Sequence, residues 1–382
     1  MIISINFFGI LFFAVLVYWL IPIQRYRVLF LSFISLFFVG IYDINATILI
    51  ISLSIFSYSI SSLIQANKNN YFFHKLGIIG LIAILVIFKY LGLLTETINH
   101  LSEFVSFFPQ IRIKHILLPL GISYIIFKHV SYITDVYWKV IKKGDFLDFL
   151  CYSSLFTIFV AGPIERFESF SPQILKLQRF ENSNLAFFFR RLIYGLFKKL
   201  VIANWIGYFI SPYLQNYNTE NILVKMLVLC GFSMQIYTDF SGYSDIAIGS
   251  SRLFGLRIKE NFNWPYIQSN ISEFWRHWHI SLYKWFRDYL YIPLGGSRKG
   301  SKRTMLNVII VFMLCGLWHG ASWNFLFWGL WHGVGISIYQ VWQNLKKNND
   351  KLQKITCGSV YKCFSTLITF LFVTIGWWWW IK

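Results

Sequence analysis

Apolar runs long enough to cross a bilayer as helices recur along most of this chain, and nothing else in it limits folding so tightly. They occupy about residues 2–21, 28–42, 46–64, 76–94 and 114–137, with further candidates near 146–163, 192–211, 222–248, 304–318, 322–342 and 361–381. A span needs about 20 mostly apolar residues, because the hydrocarbon layer is ~30 Å thick and a helix rises ~1.5 Å per residue. Hydrocarbon offers no partner to a backbone N–H or C=O, so only helices or closed barrels survive in it. These runs predict an all-α, polytopic integral membrane protein with about 10–11 transmembrane helices.

Composition agrees with lipid as the main solvent. Of 382 residues, 56% are hydrophobic and only 13% charged, whereas a soluble domain carries roughly 25% charge. The net charge of +19 would suggest nucleic acid on a soluble protein. Here the basic residues fall between apolar runs, where the positive-inside bias and anionic headgroups account for them and no nucleic-acid partner is expected. Arg25, Arg27, Lys68, Lys75, Lys139, Lys142 and Lys143 mark loops one, three and five as cytosolic, with the N-terminus outside. No cleavable signal peptide is expected over Met1–Ile21, which lacks a basic start and a small-residue cleavage site. The five cysteines form no C-x-x-C pair and read as core or lipid-facing thiols.

The alternation fails after Phe146. If 146–163 spanned once, the following stretch to Lys199, with seven basic and three acidic residues, would lie outside. A re-entrant or broken segment removes the conflict, with Pro163 as the breaking point. The segment 251–304, with ten basic and three acidic residues, is expected to be cytosolic or interfacial. No repeat or linker divides the chain, so residues 1–382 are expected to form one membrane domain. The terminal Trp377-Trp378-Trp379-Trp380 reads as an anchor at the headgroup boundary.

Ionisable groups at membrane depth are expensive and therefore suggest function. His74, His100 and His115 flank spans and read as loop or headgroup residues; His129 reads as a satisfied core histidine. His319 sits in Gly316-Leu317-Trp318-His319-Gly320-Ala321-Ser322-Trp323, a small-residue break between two apolar runs. A neutral imidazole there can take a proton near pH 7, as a general base must. His332, in Trp331-His332-Gly333, is either a neighbour of that break or a core histidine bonded to backbone.

Residues 273–288 read as one helix, with Trp275, Trp278, Leu282 and Trp285 as an apolar stripe. Arg276, His279, Tyr283 and Arg287 share a second face. That pattern fits an amphipathic helix in the headgroup plane, or the lining of a watery pocket with arginines for phosphate or carboxylate. Residues 237–245 interrupt another apolar run with Asp239, Ser241 and Asp245, for which a proton relay, a metal site and a structural buttress all fit. No histidine or cysteine at zinc spacing accompanies them, so no metal is expected. There is no Gly-x-Ser-x-Gly elbow. The glycine-rich basic run 295–303 lacks Walker spacing and reads as a basic surface loop.

Together these stretches resemble the membrane-bound O-acyltransferase (MBOAT) family, and most of all its alginate O-acetyltransferase-like branch. The similar segments are Leu118–Tyr124, Ala161–Ile164, Gln235–Asp245, Glu273–Gly296 and Gly316–Trp323, in order along nearly the whole chain. Two positions depart from the branch: Glu273 stands where Asp is common, and His277 where Arg is usual. Members of that branch also generally continue past the point where this chain stops.

The resemblance implies re-entrant and interfacial helices around a central channel, in the cytoplasmic membrane. It implies His319 as the catalytic histidine and His279 as a second active-site imidazole that orients or polarises the thioester carbonyl. Arg276, Tyr283, Arg287, Asp239, Ser241, Asp245, Trp318 and Trp323 are the expected substrate-binding residues. The implied reaction moves an acyl group, acetyl above all, from a cytosolic thioester such as acetyl-CoA to a hydroxyl of an extracytoplasmic polysaccharide or carrier. No bound cofactor is expected, and an exported SGNH-type acyltransferase is an implied partner alongside membrane lipids. D-alanyl transfer to teichoic acid, or a transport component without chemistry, are the competing expectations.

Overall fold

A computed structural model of the chain describes residues 3–104 and 118–382. Arg112, Lys114, His115 and the start of the run at 114–137 lie outside the described residues. Every described element is a helix, and no strand occurs among the described residues. Among the described residues, six helices are long and apolar enough to cross a membrane, and Ile5–Leu20 is a shorter apolar helix. The chain groups into two compact units, Met1–Leu192 with Asp245–Lys259, and Ile193–Ser244 with Glu260–Lys382.

The first unit begins with α1 (Ile5–Leu20), α2 (Gln24–Tyr42), α3 (Ile44–Ala66) and α4 (Asn70–Leu85). A π turn at Val86–Tyr90 joins α4 to α5 (Leu91–Phe104). Then come α6 (Ile122–Tyr137), α7 (Phe146–Ser154), α8 (Phe167–Leu175) and α9 (Asn182–Leu196). Large apolar side chains such as Leu16, Phe33 and Ile79 stand exposed on these helices, as lipid-facing positions should. Inside, Phe7, Phe38, Phe156 and Phe254 pack edge to face or tilted in a chain of rings.

Helix α6 is buried almost all round, including Lys128, His129 and Asp135. His129 behaves as an ordinary core histidine: Nδ1 lies 2.8 Å from the Ser57 hydroxyl and Nε2 2.7 Å from that of Ser153. The segment 146–163 is broken, as expected, but the break falls at Leu155, well before Pro163. From there to Gly162 the backbone is irregular and almost wholly buried. The Ser35 hydroxyl accepts from the Phe156 N–H, and the Thr157 and Ser251 hydroxyls meet at 2.7 Å. Irregular backbone survives burial where protein groups satisfy it in this way.

The second unit holds α10 (Asn204–Gln215), reached from α9 through a π turn at Phe197–Ala203, and the start of α11 (Ile222–Arg252). It continues with α12 (Ile271–His277), α13 (Ile280–Phe286), α14 (Ser301–His319) and α15 (Trp323–Lys347). The chain then forms α16 (Asp350–Thr356), α17 (Ser359–Gly376) and α18 (Trp378–Ile381). Helices α14 and α15 form a hairpin in which backbones nearly touch. A Cβ at Gly316 would overlap the carbonyl of Phe325, and one at Gly329 that of Phe312. Small residues let membrane helices approach in this manner.

Candidate active site

The site is built on a helix break. Residues 273–288 do not form the single helix that their periodicity suggests. Helix α12 ends at His277, α13 starts at Ile280, and His279 between them is left-handed at φ +43°. The competing partner is the loop at 261–263. Its Asn263 N–H donates to the His277 carbonyl at 3.0 Å, and its Asn261 carbonyl accepts from the Ile280 N–H at 2.9 Å. The Asn261 Oδ1 accepts the Ser281 backbone N–H at 3.1 Å and the Ser281 hydroxyl at 2.8 Å. These bonds replace the helical ladder and account for a conformation that a non-glycine residue rarely adopts.

The same atom orients His279, whose Nδ1 lies 3.2 Å from Asn261 Oδ1. A backbone N–H can only donate, so the atom that meets Ser281 N is an oxygen, and Nδ1 must donate to it too. The proton is therefore on Nδ1 and the lone pair on Nε2, which has no hydrogen-bond partner among the described residues. The ring is 1% exposed. Burial pushes its pKa down to about 3, so it is neutral at physiological pH.

His319 ends α14 and is partly exposed. Both imidazoles pack on the indole of Trp318, His279 at 5.9 Å and His319 at 4.9 Å between ring centres. The rings continue beyond: His319 meets Trp328 at 5.2 Å and Trp380 at 5.0 Å. Trp328 meets His332 at 4.9 Å, and His332 meets Trp275 at 5.0 Å. The terminal tryptophans thus do not all serve as a headgroup anchor. Trp377 is buried, stacks on Trp328 and donates to the Tyr266 hydroxyl at 3.2 Å, while Trp380 covers His319. An aromatic core was available to them, and it competes successfully with the interface.

Beside this cluster lies a cavity of about 290 Å³. Arg276, Tyr283 and Arg287 line it, as do Trp275 and apolar side chains of α13, α14 and α15; His279 does not. Arg276 pairs with Glu273 at 2.8 Å and Arg287 with Asp288 at 2.6 Å. A hydrogen bond from Arg276 to Tyr283 is the main reason that the Arg276 pKa is raised further. Three of the four residues assigned to one helix face therefore share a cavity, and the helix break sends the fourth elsewhere.

The remaining expected site residues are placed differently. Residues 237–245 lie inside the continuous α11. Asp239 pairs with Lys199, and Asp245 with Arg191. The Ser241 hydroxyl is buried with no partner among the described residues. Phe240, from the same stretch, packs on His279 at 4.8 Å. Trp323 opens α15 and is half exposed. No cluster of three or more metal-ligating side chains occurs among the described residues.

Sequence reasoning missed Asn261, because no spacing rule ties position 261 to 279. It also missed the neighbours Trp275, Trp328 and Trp380, although Gly329-x-x-x-Gly333 signals a close helix contact at that level.

Membrane-length helices, with a tight hairpin that carries His319 at its turn and a second imidazole across one indole, define a multi-pass helical membrane protein. Residues 122–375 match MBOAT, the membrane-bound O-acyltransferase family. The chain is 34% identical over 370 residues to the probable alginate O-acetylase AlgI of Pseudomonas putida, covering 93% of this chain and 71% of that protein. It is 30% identical to the peptidoglycan O-acetyltransferase of Helicobacter pylori, over 91% of this chain and 70% of that one. The teichoic acid D-alanyltransferase of Bacillus subtilis is 31% identical over 67% of each chain. The chain belongs to the membrane-bound O-acyltransferase family and is an O-acyltransferase enzyme.

Proposed function

We propose that this enzyme transfers an acetyl group from a cytosolic thioester, acetyl-CoA or a close analogue, to a hydroxyl of an extracytoplasmic polysaccharide or carrier, in the cytoplasmic membrane. The carrying observation is the packing of His279 and His319 on one indole, that of Trp318. His319, the more exposed ring, takes the proton of the attacking hydroxyl and returns it to the leaving thiolate. Base catalysis of this kind is worth about 10²–10⁴-fold. His279 has its proton engaged by Asn261, so its Nε2 is an acceptor. It orients a hydroxyl and cannot polarise a carbonyl, which requires a donor. This replaces the role expected for it from the resemblance.

Arg276, Arg287 and Tyr283 line a cavity with polar groups and an apolar remainder, which suits a thioester that carries phosphate on an aliphatic arm. Asp239 and Asp245, engaged by cations, act as buttresses. Acetyl is favoured over D-alanyl because the O-acetylating relatives align over 91–93% of the chain and the D-alanylating one over 67%. An exported acyltransferase of the SGNH type would complete delivery to the polymer.

The test uses purified protein in nanodiscs with labelled acetyl-CoA and an acetyl-free glycan. Acceptor-dependent release of CoA, abolished in His319→Ala, supports the reading. Movement of label without thioester cleavage, or full activity in His319→Ala, overturns it.

A further inference from the structure

Three guanidiniums gather on one phenyl ring in the first unit. The Cζ atoms of Arg190 and Arg191, on α9, each lie 5.4 Å from the centre of the Phe187 ring. That of Arg252, the last residue of α11, lies 4.8 Å from the same centre. A ring face attracts a cation weakly, and it does nothing to cancel the repulsion among three. Arg257 adds a further positive charge beside Arg252. The carboxylates in reach are Asp245, which pairs with Arg191, and Glu181, whose charge is felt at Arg252. Four cations therefore meet two anions.

The side chains of Arg190 and Arg252 make no hydrogen bond or direct ion pair among the described residues, and the Arg252 Nε is buried. Basic groups nearby are spoken for: Arg25 pairs with Asp145 and Asp148, and Arg27 donates to the Ile21 and Gln178 carbonyls. Water solvates a guanidinium but brings no charge, so the excess at Phe187 calls for an anion.

The cluster lies at the end of this unit that holds loop one. Leu253, next to Arg252, accepts at 2.9 Å from the indole of Trp19, near the end of α1. Phe180, just before α9, packs on that indole, and Arg27 lies over it at 4.9 Å. The positive-inside bias puts this end among the cytosolic headgroups. Helical side chains lean toward the N-terminus of their helix, so Arg190 and Arg191 reach back toward that level. Apolar surface lies on the same two helices. Phe12 packs edge to face on Phe188 at 6.0 Å and ties α1 to α9, and Leu16, Leu20, Leu185 and Phe189 stand exposed. Planar forks suited to phosphate, next to exposed apolar side chains, match both halves of an anionic phospholipid.

We infer that Arg190, Arg191 and Arg252 bind the phosphate of an anionic phospholipid of the cytosolic leaflet, with its acyl chains against α1 and α9. The headgroup supplies the charge that the cluster lacks and clamps α9 to the end of α11. The site shares no residue with the cavity assigned to the donor, and its occupation does not depend on the acyl-transfer reading.

The test uses the full chain in a neutral detergent, stripped of lipid and titrated with phosphatidylglycerol, phosphatidylcholine or inorganic phosphate. Thermal unfolding and native mass spectrometry are the readouts. Phosphatidylglycerol should raise the unfolding midpoint in proportion to its occupancy and remain bound as one molecule, while phosphatidylcholine should do neither. Arg190→Gln/Arg252→Gln should weaken this binding about 30-fold, the worth of two basic groups at an anionic surface. Arg190 is exposed, so Arg190→Gln alone should fold like the parent and weaken binding about 5-fold. Lys68→Gln/Lys75→Gln, which removes the same charge from loop three, should leave it unchanged. Equal binding of the two lipids by wild type, or parental affinity in the double arginine variant, overturns the site. A midpoint raised as much by inorganic phosphate as by phosphatidylglycerol overturns the lipid and assigns the cluster to a soluble phosphate.

Discussion

Asn261 holds His279 through a single oxygen: Oδ1 accepts from the imidazole Nδ1 at 3.2 Å and from two groups of Ser281 at 3.1 and 2.8 Å. One side chain therefore fixes the proton position, the ring orientation and the backbone turn. Asn261→Leu removes all three bonds within a buried region. Turnover should fall about 10²-fold, the usual cost of a misplaced reacting group. Asn261→Asp keeps the acceptor and should retain most activity. Steady-state assay of both variants checks this; equal losses would show that an acceptor oxygen at position 261 is not what holds the site.

His279 occupies a left-handed conformation, φ +43°, which Asn tolerates and β-branched residues do not. His279→Asn should therefore fold like the parent, with its midpoint of thermal unfolding nearly unchanged, while turnover collapses. His279→Val should lose about 1–2 kcal/mol of stability in addition. Thermal unfolding in detergent beside the activity assay separates backbone from imidazole. A marked destabilisation of His279→Asn would contradict this account.

Burial lowers the folded-state pKa of His279 from 6.5 to about 3. Between those values the folded protein binds fewer protons at this site than the unfolded chain. The site's contribution is therefore complete above pH 6.5 and is lost progressively as the pH falls through that window. The loss is about 2 kcal/mol between roughly pH 7.5 and pH 5. In His279→Asn this dependence should vanish, so the stability gap between parent and variant changes on acidification. A constant gap across that range would mean that the ring is not sealed from water.

The spans were legible because lipid imposes a length on apolar runs, and α2, α3, α11 and α14 lie close to where the runs put them. The helix end at His319 was legible because glycine follows it directly, and α14 stops there. The α12–α13 break was not, because periodicity measures only the segment itself. The bonds that break it come from Asn261, many residues upstream. The packing of Trp377 and Trp380 was hidden for the same reason: their composition suits the headgroup boundary, but their partner, Trp328, is set by tertiary contact.

Close approach of α14 and α15 carries the site, so the glycines that allow it should be intolerant. A Cβ at Gly329 would overlap backbone atoms of Phe312 and Met313, which cannot rotate away. Gly329→Ala should destabilise by about 1–3 kcal/mol or more and reduce the monodisperse fraction on size exclusion. Gly9 in α1 has nothing within 4 Å of its Cβ position. Gly9→Ala should stabilise by about 0.5–1 kcal/mol through helix propensity alone. Equal behaviour of the two variants would argue against a packed hairpin.

The two cavity arginines make a prediction about binding that is separable from chemistry. Arg276 and Arg287 line the space assigned to the donor, whereas the imidazole of His279 is not among its lining groups. Neutralising either guanidinium should weaken ground state and transition state alike, which raises KM and leaves kcat unchanged. For Arg276→Gln and Arg287→Gln the expected rise in the KM for acetyl-CoA is about 10-fold each, or ~1.4 kcal/mol. Both side chains are half exposed and already paired with Glu273 and Asp288, so salt should screen the effect. Repeating the assay at high ionic strength should shrink the difference between parent and variant. Arg276→Lys should recover little, because an ammonium cannot reproduce the planar fork that serves Glu273 and Tyr283 together. A fall in kcat at constant KM would move these arginines from the donor cavity to the reacting centre.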